Sequence, residues 1–325
     1  MSNNELVDIK NLQVENDNVS SPIDISFITI NYNGYSDTCE LLDSLSNHVR
    51  SVNYEVIVVD NASTDSSEVQ LMENRYPQHT FIRSSVNLGF AGGNNLGARK
   101  ARGKFLFFIN NDTLVIEDHF TELVATLESS SDRAALSPML CYLPNSEDDE
   151  KLVIQYAGFT PLSRFTLRNA SIGRGEYVSE SYRQITETPY LHGAAMMVKS
   201  DVYRRIPMPE IYFLYYEELD WSCMLSRAGY KLYYDPRCII LHKESCSTGE
   251  SSPLKIFYMT RNRMLFAHRN LPFTDRMVSL SYLLFVVALR DTLRYIFKLN
   301  FSLLRSLWAG IGAYIKMSDK NNHKH

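Results

Sequence analysis

Five short stretches of the chain gather residue types suited to handling phosphates, metals and protons. Asp60 ends the apolar run YEVIVVD (54–60). A carboxylate there either caps the next helix or accepts an N–H from a bound ring such as uracil or thymine. NLGFAGGNNLG (87–97) packs four glycines and three asparagines into eleven residues. Glycine lets backbone approach a ligand, and a following helix would offer free N–H groups to an anion or a ribose. The stretch has neither the Gly-Lys-Ser/Thr of a Walker loop nor the spacing of a dinucleotide fingerprint. FFINNDT (107–113) sets Asp112 just past an apolar run, where it either caps a helix from 114 or holds Mg²⁺ or Mn²⁺ against a diphosphate. In FLYYEELDWSCMLSRAGY (213–230), Glu217, Glu218 and Asp220 open a helix beside Tyr215, Tyr216 and Trp221. They either complement the helix dipole or supply a partly desolvated general base. Successive side chains turn by ~100°, so only one of the two glutamates can face a given cleft. IILHKES (239–245) leaves His242 at a strand end, as a structural residue or a metal ligand.

The elements that must position these residues alternate in kind. DISFITINYN (24–33), YEVIVVD, TFIRS (80–84) and KFLFFIN (104–110) read as buried strands. Asp37 and Glu40 form a capping box for a helix through Leu41, Leu42 and Leu45, and a second helix spans 66–75. Continuous apolar strands joined by helices predict an α/β fold with a mostly parallel sheet, whose ligands sit beyond the carboxyl ends of the strands. Asn31-Tyr32-Asn33, Asp60-Asn61 and Asn110-Asn111-Asp112 all lie at such ends. Further on, the sequence predicts strands at 191–198, 231–235 and 238–242, a helix over 216–228 closed by Gly229, and helices from about 254. Residues 144–188 read as surface loops and hairpins.

Composition narrows the class. The 325 residues are 45% apolar and 22% charged with a net charge of −4, as in a folded globular protein and unlike a nucleic-acid binder. Five cysteines without a Cys-x-x-Cys pair suit a reducing compartment. No signal pattern opens the chain, and its longest uncharged apolar run, 277–289, is shorter than the ~20 residues of a membrane span. A cytoplasmic protein is expected, with a loose arm over residues 1–22. Charge is uneven: residues 261–325 carry +8 and the rest −12, which points to a charged partner for the C-terminal end.

Taken in order, NYN, VVDNASTD, NLGFAGGNN, INND, HGAAMMVKS, YYEELDW and IILHKES resemble the family-2 inverting glycosyltransferases of GT-A fold, most closely the bacterial rhamnosyltransferase-like branch. The resemblance implies a catalytic domain over 23–260, divided into a nucleotide-binding half (23–113) and an acceptor and catalytic half (114–260). Asn31, Tyr32 and Asp60 would line the base and ribose pocket. Asn87, Gly89, Phe90, Ala91 and Asn94 would close over the nucleoside, with Asn111 beside it. Asp112 and His242 would hold Mg²⁺ or Mn²⁺. Asn110 stands where the family's first Asp would, one negative charge fewer. Asn110, Gly193 and Arg261, with Asn262 beside it in YMTRNR, would meet the sugar and diphosphate, Glu218 (or its neighbour Glu217) would be the base, and Asp220 and Trp221 would face the acceptor. The Gln-x-x-Arg-Trp motif of processive synthases is missing. The implied activity is therefore a single sugar addition, of L-rhamnose from dTDP-rhamnose or of another hexose from a UDP-sugar. A catalytically silent sugar-nucleotide binder would be expected to lack Glu218 or Asp112, and both are present. An oligomer is compatible with the sequence.

On one continuous helical wheel, Arg290, Arg294, Lys298, Arg305 and Lys316 share an arc with Trp308 at its border. The leucines and isoleucines of 293–315 fall opposite. That pattern predicts a basic amphipathic region over 261–325 lying on anionic lipid at the inner face of the plasma membrane. The same enzyme would then suit an isoprenoid-linked saccharide acceptor. The other reading is a helix packed on the protein's own core.

Overall fold

The computed structural model describes residues 22–144, 151–243 and 252–322. The expected arm at 1–22 lies outside them except for its last residue, as does Cys246. The first half runs β1 (Ile25–Asn31), α1 (Tyr35–His48), β2 (Tyr54–Asp60), α2 (Ser66–Arg75), β3 (Thr80–Arg83), α3 (Gly89–Ala98), β4 (Phe105–Ile109), β5 (Thr113–Val115) and α4 (Phe120–Glu128). There follow β6 (Arg133–Tyr142), β7 (Ile154–Tyr156), β8 (Thr186–Glu187), β9 (Ala195–Lys199), α5 (Ser200–Arg205), α6 (Glu217–Arg227) and β10 (Lys231–His242). The chain closes with α7 (Pro253–Asn270), α8 (Phe273–Tyr282), a π-helical turn at Leu283–Ala288, α9 (Leu289–Phe297) and α10 (Phe301–Asn322).

One mixed sheet runs in the order β3-β2-β1-β4-β9-β6-β10-β5, with β7 on β6 and β8 on β10. β1, β2, β3 and β4 are parallel, as are β6 and β10, while β9 runs antiparallel between β4 and β6. Both faces are covered. Phe27, Phe107 and Phe120 interlock on one side, and Phe108, Tyr203 and Trp221 on the other. This burial on both faces explains the continuous apolar runs.

Several expectations change. The glycine-rich stretch is itself helix α3 rather than a loop before one. Its bare face lies directly on the sheet: a Cβ at Gly93 would stand 2.8 Å from Ile30 Cδ1 and one at Gly97 2.5 Å from Ile28 Cγ2. Gly34, not Asp37, caps α1, and Asp37 and Glu40 instead accept from Lys243 at 2.6 and 2.7 Å. Asp112 leads into β5, so it caps no helix. β6 was missed because Ser137-Pro138 interrupts its apolar run. The two strands predicted at 231–242 are one, β10, whose register shifts between Asp235 and Ile239 around Pro236. The strand predicted at 191–198 starts only at Ala195. The domain limits at 113 and 260 fall inside β5 and α7.

The C-terminal helices do not form one continuous wheel. Leu299 has φ 52°, and the chain turns there between α9 and α10. α10 packs on α7, where a Cβ at Gly310 would meet the Phe257 carbonyl at 2.7 Å, so neither Gly310 nor Gly312 breaks it. Trp308 Nε1 donates to Thr292 Oγ1 at 3.1 Å, tying α10 to α9. Among the described residues no helix is long and apolar enough to cross a membrane.

Asp220 and Trp221 do not face an acceptor. Asp220 is fully buried, accepting from Arg269 Nε at 2.8 Å and Asn270 Nδ2 at 2.6 Å, and so joins α6 to α7. Trp221 is core, with Nε1 donating to the Ile206 carbonyl. Removing one partner of a buried ion pair leaves the other uncompensated. Asp220→Ala is therefore expected to cost about 3 kcal/mol in urea unfolding, with affinity for any saccharide unchanged in the folded fraction.

Candidate active site

The carboxyl ends of β1, β2, β4 and β10 share one edge of the sheet, and because β9 is antiparallel its entry segment, His192 to Ala194, arrives there too. A buried polar relay crosses this edge. Asn111 Nδ2 donates to Thr38 Oγ1 (3.1 Å), Thr38 Oγ1 to Asn31 Oδ1 (2.9 Å) and Asn31 Nδ2 to Asp60 Oδ1 (3.1 Å). Thr38, unremarkable in the sequence, is its fully buried centre. Asp60 Oδ2 is buried without a hydrogen bond, with only the Arg83 guanidinium 3.5 Å away. An orphaned buried acceptor costs ~1–3 kcal/mol, which a ligand N–H would relieve. Tyr32 is half exposed beside it.

The other face of this cleft is α3. Asn61 accepts from Leu88 N and donates to Asn87 Oδ1 and the Gly89 carbonyl. Asn87 also takes the Gly89 N–H, so its amide shapes the turn. Asn94 is buried with its Nδ2 unpartnered. Ala91 does not line the cleft; it is fully buried in the core with Ile28 and Val59. Asn111's side-chain amide is likewise engaged by α1 rather than by a nucleoside.

Asp112 and His242 meet, Oδ1 to Nε2 at 3.3 Å, both buried. His242 Nδ1 lies 2.7 Å from Gln155 Oε1; with that bond assigned as N–H to oxygen, Nε2 is left to face the carboxylate. Two donors facing each other suit a cation between them, and the tautomer is fixed as in metal-bound imidazoles. Among the described residues no third His, Cys, Asp or Glu joins them. The pair therefore fits a divalent ion completed by phosphate oxygens and water. Asn110 is held by backbone, its N–H on the Ala194 carbonyl. Gln155 falls in the segment read as loops and carried no sequence signal.

His192 neighbours the Asp112–His242 pair. Its ring centroid is 6.2 Å from that of His242 and stacks on Phe159. Burial first, then the neighbouring His242, pushes its pKa down to about 3, so it is neutral. At the next residue, a Cβ on Gly193 would lie 3.8 Å from Glu218 Cγ and 3.7 Å from the Phe90 ring. Glu218 is half-buried and burial raises its carboxyl to about 7. Glu217 is 2% exposed, with Oε2 unpartnered; burial, then the adjacent Glu218, holds it well above the usual carboxylate range. The helix thus turns Glu218 toward Gly193 and buries Glu217.

The lead into these glutamates is strained. Phe213, Tyr215 and Tyr216 have φ of 68°, 69° and 78°, each costing ~1–3 kcal/mol for a residue with a side chain. Asn262 of α7, fully buried, lies under the loop, its Nδ2 within 3.0, 2.7 and 2.8 Å of the Tyr212, Leu214 and Tyr215 carbonyls. Phe90 N–H takes the Phe213 carbonyl at 2.7 Å. Gly89, at φ 72°, leaves room for that carbonyl, since a Cβ there would sit 2.2 Å from it. Arg261, expected at the phosphates, instead donates to the Ile211 and Tyr212 carbonyls and lies over the Tyr258 ring. It positions the loop.

Residues 26–206 match Glycosyl transferase family 2. The chain belongs to this family. It is 25% identical over 248 residues to the low-salt glycan biosynthesis hexosyltransferase Agl10 of Haloferax volcanii, covering 74% of this chain and 75% of that one. It is 27% identical over 228 residues to the rhamnosyltransferase WbbL of Escherichia coli K12, covering 66% and 82%. In fold it resembles GalNAc-T7 solved with UDP, GalNAc and Mn²⁺ (TM-score 0.58, 13% identity, 85% of this chain and 58% of that one). It also resembles the mannosyltransferase PcManGT of Pyrobaculum calidifontis with GDP-Man and Mn²⁺ (TM-score 0.52, 16% identity, 91% and 76%). This chain of GT-A fold is thus a family-2 inverting glycosyltransferase.

The family match ends before the glutamates and their clamp. Asn262→Ala would remove the side-chain amide from the Tyr212, Leu214 and Tyr215 carbonyls under a strained loop, with Arg261 still donating to Tyr212. It is expected to cost roughly 2–3 kcal/mol in thermal unfolding and to lower kcat while donor binding by calorimetry stays within twofold. Equal loss of donor affinity would refute the clamp.

Proposed function

We propose that the chain moves one L-rhamnose from dTDP-L-rhamnose to a saccharide carried on an isoprenoid lipid, at the inner face of the plasma membrane, in building a cell-surface polysaccharide such as an O-antigen. One observation carries the chemistry: Glu218, raised to about 7, lies on Gly193, one residue from His192 at the Asp112–His242 pair. The likeness to WbbL supports rhamnose.

In this reading Asp60 Oδ2 takes the ring N–H of the base, and Asn94 Nδ2 donates to the nucleoside. Asp112 and His242 would hold Mg²⁺ or Mn²⁺, which would supply positive charge to offset that growing on the departing diphosphate. Glu218 as carboxylate takes the proton of the acceptor hydroxyl, whose oxygen attacks the anomeric carbon opposite the leaving nucleotide. The C–O bond to the diphosphate breaks with its electron pair, and configuration inverts without a covalent enzyme intermediate. Because burial holds Glu217 well above the usual carboxylate range, Glu217 opposes the ionisation of Glu218 less than an ordinary neighbouring carboxylate would. Membrane contact is supported by α9, whose Leu293, Ile296 and Phe297 are exposed beside Arg290, Arg294 and Lys298. On α10, Arg305 and Lys316 are also exposed.

Titration calorimetry with dTDP-rhamnose and a panel of UDP-sugars tests the donor. dTDP-rhamnose should bind only with Mg²⁺ or Mn²⁺, fail with Asp112→Ala and bind normally to Glu218→Gln. Selective binding of a UDP-sugar would replace rhamnose, and no binding of any donor would remove the donor site.

Kinetics separate the glutamates. Glu218→Gln should lose ~10²–10⁴-fold in kcat, whereas Glu217→Gln, isosteric with a neutral acid, should keep most activity. Wild-type kcat/KM should rise with pH through about 7 as Glu218 ionises. Folded Glu218 binds a proton that the unfolded chain has lost between pH ~4.5 and 7, so stability falls across that window. Glu218→Gln should flatten that fall.

A further inference from the structure

A second concavity, of about 230 Å³, lies away from the sheet edge, among α7, the π-turn, α9 and α10. Its walls are hydrocarbon: Met264, Leu283, Leu307 and Ile311 all line it and are buried. It has room for roughly seven groups the size of a water molecule, ~30 Å³ each, enough for a short length of alkyl or isoprenyl chain. Arg168, Lys255 and Arg263 line the same space, with Asp291 as its acid. Asp291 is engaged by the Arg290 guanidinium at 2.8 Å. Arg263 sends one N–H to the Thr166 carbonyl, and its Nε is buried with no hydrogen-bond partner. Arg168 and Arg290 both act on Arg263 as like charges. Gathering cations round an apolar hole, one with a buried orphan donor, is unfavourable unless an anion joins them.

Two features give the cavity a direction. α9 turns Asp291 and Tyr295 inward while Leu289, Leu293 and Ile296 face out, 49%, 56% and 43% exposed. The apolar interior is thus one helix away from the surface that would meet a bilayer. At the other side, the Tyr216 hydroxyl donates to the carbonyl of Leu167, the residue before Arg168, and Tyr216 caps α6 two residues before Glu218. Tyr216 thus links the cationic side of the cavity to the start of the helix that carries the base.

We propose that this cavity binds the phosphate-headed hydrocarbon chain of the acceptor, with the phosphate at Arg168 and Arg263, the chain between α7 and α10, and the saccharide reaching past Tyr216 to Glu218. The proposal rests on the reading of the acceptor as lipid-linked and assigns that lipid a site of its own. It differs from surface adsorption to anionic lipid in requiring a single chain with a phosphate at its end.

The test is calorimetry on the full chain with farnesyl monophosphate, farnesol, inorganic phosphate and phosphatidylglycerol vesicles. Farnesyl monophosphate should bind at least tenfold more tightly than farnesol, with no measurable heat from inorganic phosphate. Arg168→Glu, at an exposed position where folding should survive, and Ile311→Phe, which fills the apolar wall, should each weaken farnesyl monophosphate by tenfold or more. Equal affinity for farnesol, insensitivity to both substitutions, or binding to phosphatidylglycerol vesicles alone would overturn the site. Donor binding measured on the same preparation keeps the two readings apart. Metal-dependent dTDP-rhamnose binding without farnesyl monophosphate binding sinks the lipid cavity and leaves the transferase reading standing; the converse result does the opposite.

Discussion

The structure depends on one side-chain amide. Asn262 lies against three carbonyls of a loop in which Phe213, Tyr215 and Tyr216 have left-handed backbone. Three such residues in four cost several kcal/mol if unsupported, and an unsupported loop would relax and rotate the start of α6. Where Glu217 and Glu218 point is therefore decided on a different helix, 44 residues further along the chain. The same loop is held from the opposite side by Phe90 N–H and by the absent side chain of Gly89. The glycine-rich helix and α7 thus grip it between them.

Around that grip the sheet performs an ordinary task with one departure from the parallel pattern. Parallel strands deliver Asn31, Asp60, Asp112 and His242 to a common edge. A strictly parallel β9 would have sent His192 and Gly193 to the far end. Its reversal brings them to the edge, His192 beside His242 and Gly193 beside Glu218. The buried relay through Thr38 then fixes the relative height of α1, β1, β2 and the segment after β4. Desolvation also sorts the acids: it leaves Glu218 near neutrality in its titration and withdraws Glu217 from it.

Much of this was legible in the residues. Apolar runs announced β1 to β4, and polar residues at their ends announced the edge. Asp60, Asp112, Glu218 and His242 can be singled out because ionisable groups at strand and helix ends stand out against such runs. What stayed hidden has physical reasons. α3 was misread because a helix of glycines has no apolar stripe; its flatness against Ile28 and Ile30 replaces side-chain packing. Gln155 and Thr38 are neutral polar residues whose burial only tertiary structure creates. Asp220 and Arg261 looked available because sequence shows charge without its partner. The basic stripe assumed an unbroken helix, and nothing local in Lys298-Leu299-Asn300 marks the left-handed turn that breaks it.

The distance along the chain between Glu218 and its clamp also orders events during synthesis. Translation at ~5–20 residues per second lets N-terminal segments fold first. The last long strand, β10, ends at His242, so the sheet and the Asp112–His242 pair can form while α7 is still being made. The loop at 212–216 then has Phe90 on one side and nothing beneath it. Only when residue 262 has emerged does the second half of the grip exist. A nascent chain therefore completes its sheet edge before the direction of Glu217 and Glu218 is set, and the final helices fix it.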